Sequence, residues 1–407
     1  MRTGRRIKKD VDLLLERWPQ KFPYIKLVTA TNNFMEAQKV GEGGFGVVYK
    51  GFLIDLSMVV AIKAIKRFSD LPSDGKTQYE TEVKVTSRLR HRNVIRLIGY
   101  SHHKDRPLLV YEFAPRGTLS SHLFDSKKPP LSLAQRQKIA LGLARALRYL
   151  HEECAARYVV HRDVKSANVL LDENFEVKLT DFGLAMVGDH GGDLQETDVW
   201  GTVGYVAPEY QSTGKFSKGS DVYSFGVVVL EIACGRMTMD LVRWVWGLYG
   251  AGRILEAADA RLAGEFDRRV MERLMVLGLW CANPDHTERP SMGQAVGVLE
   301  FLEVALPKLA LEMPSPRYVV PRPSATAAEA TSHQILSLTG ALPGKSSSQS
   351  NSKTLSFDSK GYTQKVVSST MIKSMGGEGA RSTKTYVYSG EIKTNTKTFN
   401  VTKSYVP

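Results

Sequence analysis

Two rhythms of apolar residues divide this chain near residue 112. From Phe34 to about Glu112 the apolar positions come in short runs that fit strands, such as Val60-Ala61-Ile62 leading into Lys63; one helical stretch, Gln78 to Val85, interrupts them. Beyond Glu112 the period lengthens. Ile139, Leu143, Leu147 and Leu150 fall on one face of a helix predicted from Leu133 to Cys154, and helices resume at Asp221–Ala233, Val242–Gly250, Val270–Cys281 and Ser291–Val304. Two short strands, Val169-Leu170-Leu171 and Val177-Lys178-Leu179, lie between the first two helices. The expected class is therefore α+β, with a small β-rich lobe ahead of a larger helical one. Residues 1–33 read as a basic linker. After Tyr318 the pattern stops: residues 319–407 hold 28 Ser or Thr among 89 and only scattered aromatics. Such a segment cannot bury enough apolar surface to offset its ordering entropy. The extension 305–407 is expected to be a largely disordered tail, although the alternation in Lys384-Thr385-Tyr386-Val387-Tyr388-Ser389 hints at a strand.

The residues that carry chemistry stand where the two rhythms meet. His161-Arg162-Asp163-Val164-Lys165-Ser166-Ala167-Asn168 is followed thirteen residues after Asn168 by Asp181-Phe182-Gly183. This places a carboxylate for proton transfer, an amide and a second carboxylate for metal, and a lysine for phosphate in one short region, as phosphoryl transfer from ATP requires. Upstream, Gly41-Glu42-Gly43-Gly44-Phe45-Gly46-Val47-Val48 is a glycine-rich turn that lets backbone N–H groups face an anion. It lies at hairpin distance before Lys63, which the apolar run leads into directly; Lys66, in the frame Ala64-Ile65-Lys66, is the rival register. A phosphate-binding lysine needs a carboxylate to orient it. Glu82, preceding apolar Val83, is the candidate, with Glu80 its competitor. A lysine ending a strand is ordinarily a snorkelling surface residue, and a helical glutamate a solvated charge; the surrounding motifs favour the functional reading.

With these residues in place, the chain resembles the eukaryotic protein kinase family, and within it plant receptor-like kinases of the L-type lectin group. Ala30-Thr31-Asn32-Asn33-Phe34, Leu109-Val110-Tyr111-Glu112-Phe113 and Val245-Trp246-Gly247-Leu248-Tyr249-Gly250 carry the second likeness. The resemblance covers roughly Phe22 to Tyr318 and implies a bilobal kinase domain over 34–304, with lobes of about 34–112 and 116–304. It further implies that Asp163 accepts the proton of the substrate hydroxyl and that Lys165 steadies the transferring phosphoryl group, as in Ser/Thr kinases. Asn168 and Asp181 would hold magnesium, and Lys63, paired with Glu82, would contact the ATP phosphates. Val40, Gly41, Glu42, Gly43, Gly44, Phe45, Gly46, Val48 and Ala61 would line the nucleotide site, with Tyr111 at its back and the hinge Glu112-Phe113-Ala114 offering backbone groups to adenine. Arg162, ahead of the catalytic aspartate, goes with activation-loop phosphorylation, for which Thr197 is the candidate; Thr202 would contact the catalytic region. Glu209 would pair with Arg289, and Asp221 would anchor the catalytic loop. Trp200 departs from the small or aliphatic residue of the family pattern, and the connection from Gly235 to Leu241 is shorter than the group's.

Composition narrows the partners. Net charge is +13, but residues 1–21 contribute +4 and residues 319–407 contribute +7, leaving +2 for the body. A basic, aromatic-lined face for nucleic acid is therefore not expected. The implied partners are protein substrates with Ser/Thr acceptors, a receptor complex, and an anionic membrane surface attracting the basic N-terminal segment. Cys154, Cys234 and Cys281 form no CxxC pattern and suit a reducing compartment. The N-terminus shows no apolar signal region, Arg2 excludes N-myristoylation, and the longest apolar run, Phe225 to Leu230, is too short to span a bilayer. The expected location is cytoplasmic or at the inner face of the plasma membrane. The chain begins where a juxtamembrane segment would, which fits either a truncated receptor kinase or a receptor-like cytoplasmic kinase. A pseudokinase scaffold with the same fold is the alternative reading; it would be favoured by loss of Lys63, Asp163, Asn168 or Asp181, and all four are present.

Overall fold

The structure, a computed structural model, describes residues 19–43, 46–70, 73–103, 106–154, 157–188, 194–195, 199–237 and 239–316, together with four strands between 385 and 406. The chain divides into two units, Met1–Pro321 and Arg322–Pro407.

The first unit opens with a strap rather than a linker. Strand β1 (Gln20–Lys21) and helix α1 (Tyr24–Ala30) fall inside residues 1–33, the segment read as a basic linker. Phe22 and Leu27 explain the difference. They are buried at 4% and 0% exposure against Leu53, Val60, Ile62, Ile98, Leu108 and Val110. The strap needs close approach to the sheet. A Cβ on Gly99 would lie 2.2 Å from the Gln20 carbonyl oxygen and 2.5 Å from the Phe22 ring, so only glycine fits. Residues 1–18, which hold most of the basic segment, lie outside the described residues.

The small lobe is a six-stranded sheet built from β1, β2 (Lys39–Gly43), β3 (Gly46–Leu53), β4 (Met58–Ile65), β5 (Leu97–His103) and β6 (Arg106–Glu112). Its order is β1-β5-β6-β4-β3-β2, with β1 parallel to β5 and the other pairs antiparallel. Period-two alternation splits its faces. Leu53, Val60, Ile62, Leu108 and Val110 pack under the strap, while Val48, Ala61, Lys63 and Tyr111 share the other face through the pairs Val48↔Lys63 and Ala61↔Tyr111. Among the described residues, helix α2 (Ser73–Thr86) is the one long helix of this lobe. Leu27→Ala is expected to lower stability by about 2–5 kcal/mol through the cavity it leaves, read as a shift of the denaturant midpoint with unchanged slope.

The large lobe begins after the hinge with β7 (Gly117–Thr118), α3 (Leu119–Phe124) and α4 (Leu133–Arg148). A Ser132/Gln135 capping box starts α4, whose stripe of Ile139, Leu143 and Leu147 is fully buried. The α-helix stops at Arg148, short of the expected Cys154, and one π-helical turn, Tyr149–Glu153, completes it; Leu150 and His151 are buried there. Strands β8 (Tyr158–Val160), β9 (Val169–Leu171), β10 (Val177–Leu179) and β11 (Met186–Gly188) frame the motif residues, with β9 and β10 at the expected positions. Strand β12 (Leu194–Gln195) pairs with β13 (Lys215–Phe216), and α5 (Pro208–Thr213) precedes β13. Helix α6 (Lys218–Cys234) is buried over nearly its whole length and ends on Gly235 at φ +59°. Helices α7 (Leu241–Gly250), α8 (Arg268–Cys281) and α9 (Met292–Glu300) complete the lobe. The last ends four residues earlier than expected, where Arg273 of α8 donates to the carbonyls of Val298, Phe301 and Val304. Residues 305–316, assigned to the tail, instead pack on the body: Leu309 is buried and the Trp246 indole donates to Ala310 O at 2.9 Å. Among the described residues no helix is long and apolar enough to cross a membrane.

In the second unit β14 (Thr385–Tyr388) pairs with β17 (Lys403–Val406), and β15 (Ile392–Thr394) with β16 (Lys397–Phe399), all antiparallel. The strand hint at 384–389 thus falls on β14; residues 317–384 lie outside the described residues.

Candidate active site

Four elements converge on one cleft. Lys63 on β4 and Glu82 on α2 form an ion pair at 2.7 Å, and Lys63 Nζ also lies 3.7 Å from Asp181 Oδ1. The rivals Lys66 and Glu80 are both exposed. Burial alone would push the Lys63 ammonium down, but Glu82 and Asp181 together hold it above its usual range. It carries a full charge at neutral pH.

Sequence reasoning placed Tyr111 at the back of the cleft but missed its bond. Its hydroxyl donates to Glu82 Oε1 at 2.6 Å, so one carboxylate serves both Lys63 and Tyr111. Burial, and then the Glu82 charge, keep the phenol protonated far above its ordinary range. No spacing rule points to this contact, because β6 and α2 meet only in the folded lobe. Tyr111→Phe is expected to lower the turnover rate about tenfold, as loss of one hydrogen bond to a charged group allows, and steady-state kinetics at saturating ATP check it.

The His161–Asn168 loop follows β8 and is pinned from beneath by Asp221 of α6. The Asp221 carboxylate accepts the N–H groups of His161 (2.7 Å) and Arg162 (2.9 Å) and faces His151 Nε2 at 2.9 Å. Burial would raise this acid; His151 and His161 outweigh it and hold the carboxyl below its usual range. The anchoring holds Arg162 at φ +69°, a conformation costing about 1–3 kcal/mol; Asp181 adopts the same φ.

Asp163 sits at the centre. Its Oδ2 accepts Lys165 Nζ (2.6 Å) and Asn168 Nδ2 (2.9 Å), while its Oδ1 accepts the Thr202 hydroxyl (2.6 Å). Lys165 also donates to Thr202 Oγ1 at 2.8 Å. Asn168 Nδ2 donates as well to the Asp163 carbonyl at 2.9 Å, which turns the amide oxygen the other way. The Asp181 side chain is 42% exposed in the cleft. One amide oxygen and one carboxylate are hard donors suited to magnesium, yet too few to hold it alone. The donor set therefore fits a magnesium ion that arrives with phosphate oxygens. Among the described residues no group of three or more His, Cys, Asp or Glu could hold a metal by itself.

The remaining expected residues divide. Gly41, Glu42, Gly43 and Gly46 lie on the β2–β3 hairpin with Val40 and Val48, whereas Gly44 and Phe45 lie outside the described residues. A Cβ on Gly46 would fall 2.2 Å from the Ala64 carbonyl oxygen. Glu112 ends β6, and Ala114 is buried just beyond it. Glu209 and Arg289 form a two-pronged pair, both contacts 2.8 Å. Arg162 donates to Leu184 O (3.3 Å) and the Tyr210 hydroxyl (2.8 Å), its guanidinium stacked 4.2 Å over Phe216. Thr197 lies outside the described residues, and Trp200 is half-buried with its N–H donated to the Tyr210 hydroxyl.

One structural cluster escaped sequence reading. The fully buried Arg136 guanidinium donates to the carbonyls of Leu131 and Ile232 and to Asp259 Oδ2, which Arg261 also engages at 2.7 Å. A signal was present: Arg136 stands on the same helical stripe as Ile139, Ala140, Leu143 and Leu147, where a lone cation needs a partner.

The family model for the protein kinase domain matches residues 34–298. The L-type lectin-domain containing receptor kinase IX.1 of Arabidopsis thaliana is 52% identical over 314 residues, covering 74% of this chain and 47% of that protein. Receptor kinase IX.2 of the same plant is 43% identical over 350 residues (82% and 51%), and the rice receptor kinase SIT2 is 42% identical over 310 (73% and 45%). The chain spans about half the length of the curated relatives it matches.

Proposed function

Because the chain belongs to the protein kinase family, we propose that it transfers the ATP γ-phosphate to serine and threonine hydroxyls of proteins in receptor-like signalling. The observation that carries this reading is the triangle Asp163–Lys165–Thr202, whose three contacts run from 2.6 to 2.8 Å. A carboxylate held this way can take the proton of an incoming hydroxyl, and the neighbouring ammonium can neutralise the phosphoryl group in flight.

The other roles follow from position. Lys63, oriented by Glu82, binds the phosphates of ATP; Val48, Ala61 and the hinge residues enclose the adenine; the β2–β3 hairpin covers the phosphates. Asn168 and Asp181 would hold magnesium, which supplies charge neutralisation between phosphate oxygens. Arg162 responds to a phosphorylated activation loop, with Thr197 as the acceptor, and Glu209–Arg289 and Asp221 hold the platform in place. The likeness to receptor kinases supports a receptor complex as the working context, on the cytoplasmic side of the membrane, with the basic segment 1–21 drawn to anionic lipid.

The test is transfer of labelled γ-phosphate from ATP with magnesium to a generic basic protein and to the chain itself, followed by phosphoamino acid analysis. Phosphoserine and phosphothreonine are expected. Label only on tyrosine would overturn the specificity, and absence of transfer by folded, ATP-binding protein would leave the scaffold reading.

A further inference from the structure

The second unit carries a pattern that phosphoryl transfer leaves unused. Register, together with the alternation of successive residues across a pleated strand, sorts its residues by face. In the β14–β17 ladder Tyr386 pairs with Tyr405 and Tyr388 with Lys403, so these four positions share one face; Thr385, Val387, Ser404 and Val406 share the other. In β15–β16, Ile392 pairs with Phe399 and Thr394 with Lys397, and Lys393 and Thr398 fall on the opposite face. Each ladder thus has one face that combines aromatic residues with a lysine. The four strands hold three lysines and no carboxylate, within a segment, 319–407, of net charge +7.

Physical limits select the partner. A two-stranded ladder is marginal in water, and each of these ladders has two strands among the described residues, so it gains stability by laying its aromatic face on another surface. Strands of four and three residues are too short to cross hydrocarbon, which takes about 9–11, and their unpaired edges bar them from entering it. Lysines in β15, β16 and β17 oppose edge pairing with a like-charged second copy. Three lysines also neutralise few phosphates, too few to hold a nucleic acid mainly by charge. Tyrosine beside lysine suits instead the headgroup layer of a bilayer, where a ring with a polar tip and a cation are both satisfied. We propose that the second unit is an interfacial contact for anionic membranes, which it meets through the Tyr386/Tyr405 face of one ladder and the Ile392/Phe399 face of the other. Lipid charge draws the lysines in, and the aromatic positions hold the contact by removing apolar surface from water. The site is separate from the basic segment 1–21, and it stands independently of the kinase reading.

The experiment is co-sedimentation of the full chain with phosphatidylcholine vesicles, with and without phosphatidylserine, at physiological ionic strength. Binding is expected with phosphatidylserine and not without it. Tyr386→Thr combined with Tyr405→Thr should weaken it about tenfold, the scale of two rings partly returned to water. Val387→Thr combined with Val406→Thr, on the opposite face, should stay within about twofold; threonine keeps strand propensity in both pairs. Lys397→Gln combined with Lys403→Gln should weaken binding about thirtyfold, the scale of two lysines near a charged surface. Segment 1–21 is the same in every variant, so the ratios report on the second unit. Three results would each overturn the proposal. Equal loss in the tyrosine and valine pairs would leave a charged tail without a binding face. Unchanged binding in the tyrosine and lysine pairs would assign the attraction to segment 1–21. Vesicle binding absent, with the same substitutions abolishing capture of a single-stranded oligonucleotide or altering the oligomeric state in sedimentation, would put nucleic acid or a second copy in place of lipid. None of these measurements reads phosphate transfer, so failure here leaves the kinase reading as it stands.

Discussion

Asp163→Asn is expected to retain fold and ATP binding while its rate of phosphate transfer falls about a thousandfold, the scale of a lost general base. The geometry sets the expectation. The change is isosteric, so Asn can still accept from Lys165 and Asn168, but it cannot take up a proton from an acceptor hydroxyl. The site around it would persist because Asp221 and not Asp163 carries the loop backbone. Single-turnover transfer in the parent and the variant, beside ATP titrations and thermal unfolding of each, decides the matter. A variant that binds ATP, unfolds with the parent and transfers at more than a tenth of its rate would remove Asp163 from the proton-transfer role. Equal loss of binding and transfer would make it a structural residue.

The second large effect lies far from the chemistry. Asp259→Ala is expected to destabilise the large lobe by about 3–5 kcal/mol, the cost of breaking one side of a buried ion pair. Asp259 is 4% exposed and Arg136 fully buried. Removing the carboxylate strands the Arg136 guanidinium, which also ties α4 to the end of α6 through the Ile232 carbonyl, and releases Arg261, which donates to the Leu123 carbonyl of α3. Gly235 belongs to the same arrangement, for a Cβ there would meet Asp259 Oδ2 at 2.1 Å. The measurement is the guanidinium midpoint of unfolding. Arg253→Ala, which opens the exposed Arg253–Glu256 pair, serves as the control and should leave the midpoint unchanged. The pH dependence has a definite sign. Burial would raise the Asp259 acid, but Arg261 and Arg136 outweigh it and hold the carboxyl below its usual value. Its contribution is therefore complete above the unfolded pKa of about 4, and it is lost as pH falls through the lower folded value. In Asp259→Ala that part of the acid sensitivity should disappear.

The candidate site was legible because the chemistry proposed for it confines residue types to short contiguous segments. Asp163, Lys165 and Asn168 come together within one loop, and the loop is eight residues of unbroken sequence. The Lys63–Glu82 pair was legible once a buried strand and a helix were recognised, since each supplies one obvious charge to the same cleft. The strap was misread for a physical reason. The residues ahead of it are basic and obscured its own apolar run, Phe22 to Val28, and the burial of Phe22 and Leu27 depends on a glycine in β5 that no local pattern links to them. The same holds for Tyr111: propensity makes it a core tyrosine on a strand, and only the docking of α2 gives its hydroxyl a carboxylate. Asp259 lies in a short-turn region without periodicity, so its partners could not be inferred from its neighbours. The apolar stripe of α4 ended short of Cys154 for a related reason. Tyr149 carries the turn wider, and its hydroxyl accepts the N–H of Arg90 from the small lobe's connecting segment.

The direction of β1 has a mechanical side. It runs parallel to β5, and Phe22 continues the pairing by donating its N–H to Tyr100 O at 2.8 Å. A pull on the chain ahead of Gln20 acts along the strand, across its slanted hydrogen bonds. Those bonds and the wedged Phe22 ring then bear the load together instead of opening one after another. The edge of the sheet is also its mooring, and tension arriving from upstream is delivered first to β5 and only through it to β6 and β4, the strands that hold Tyr111 and Lys63.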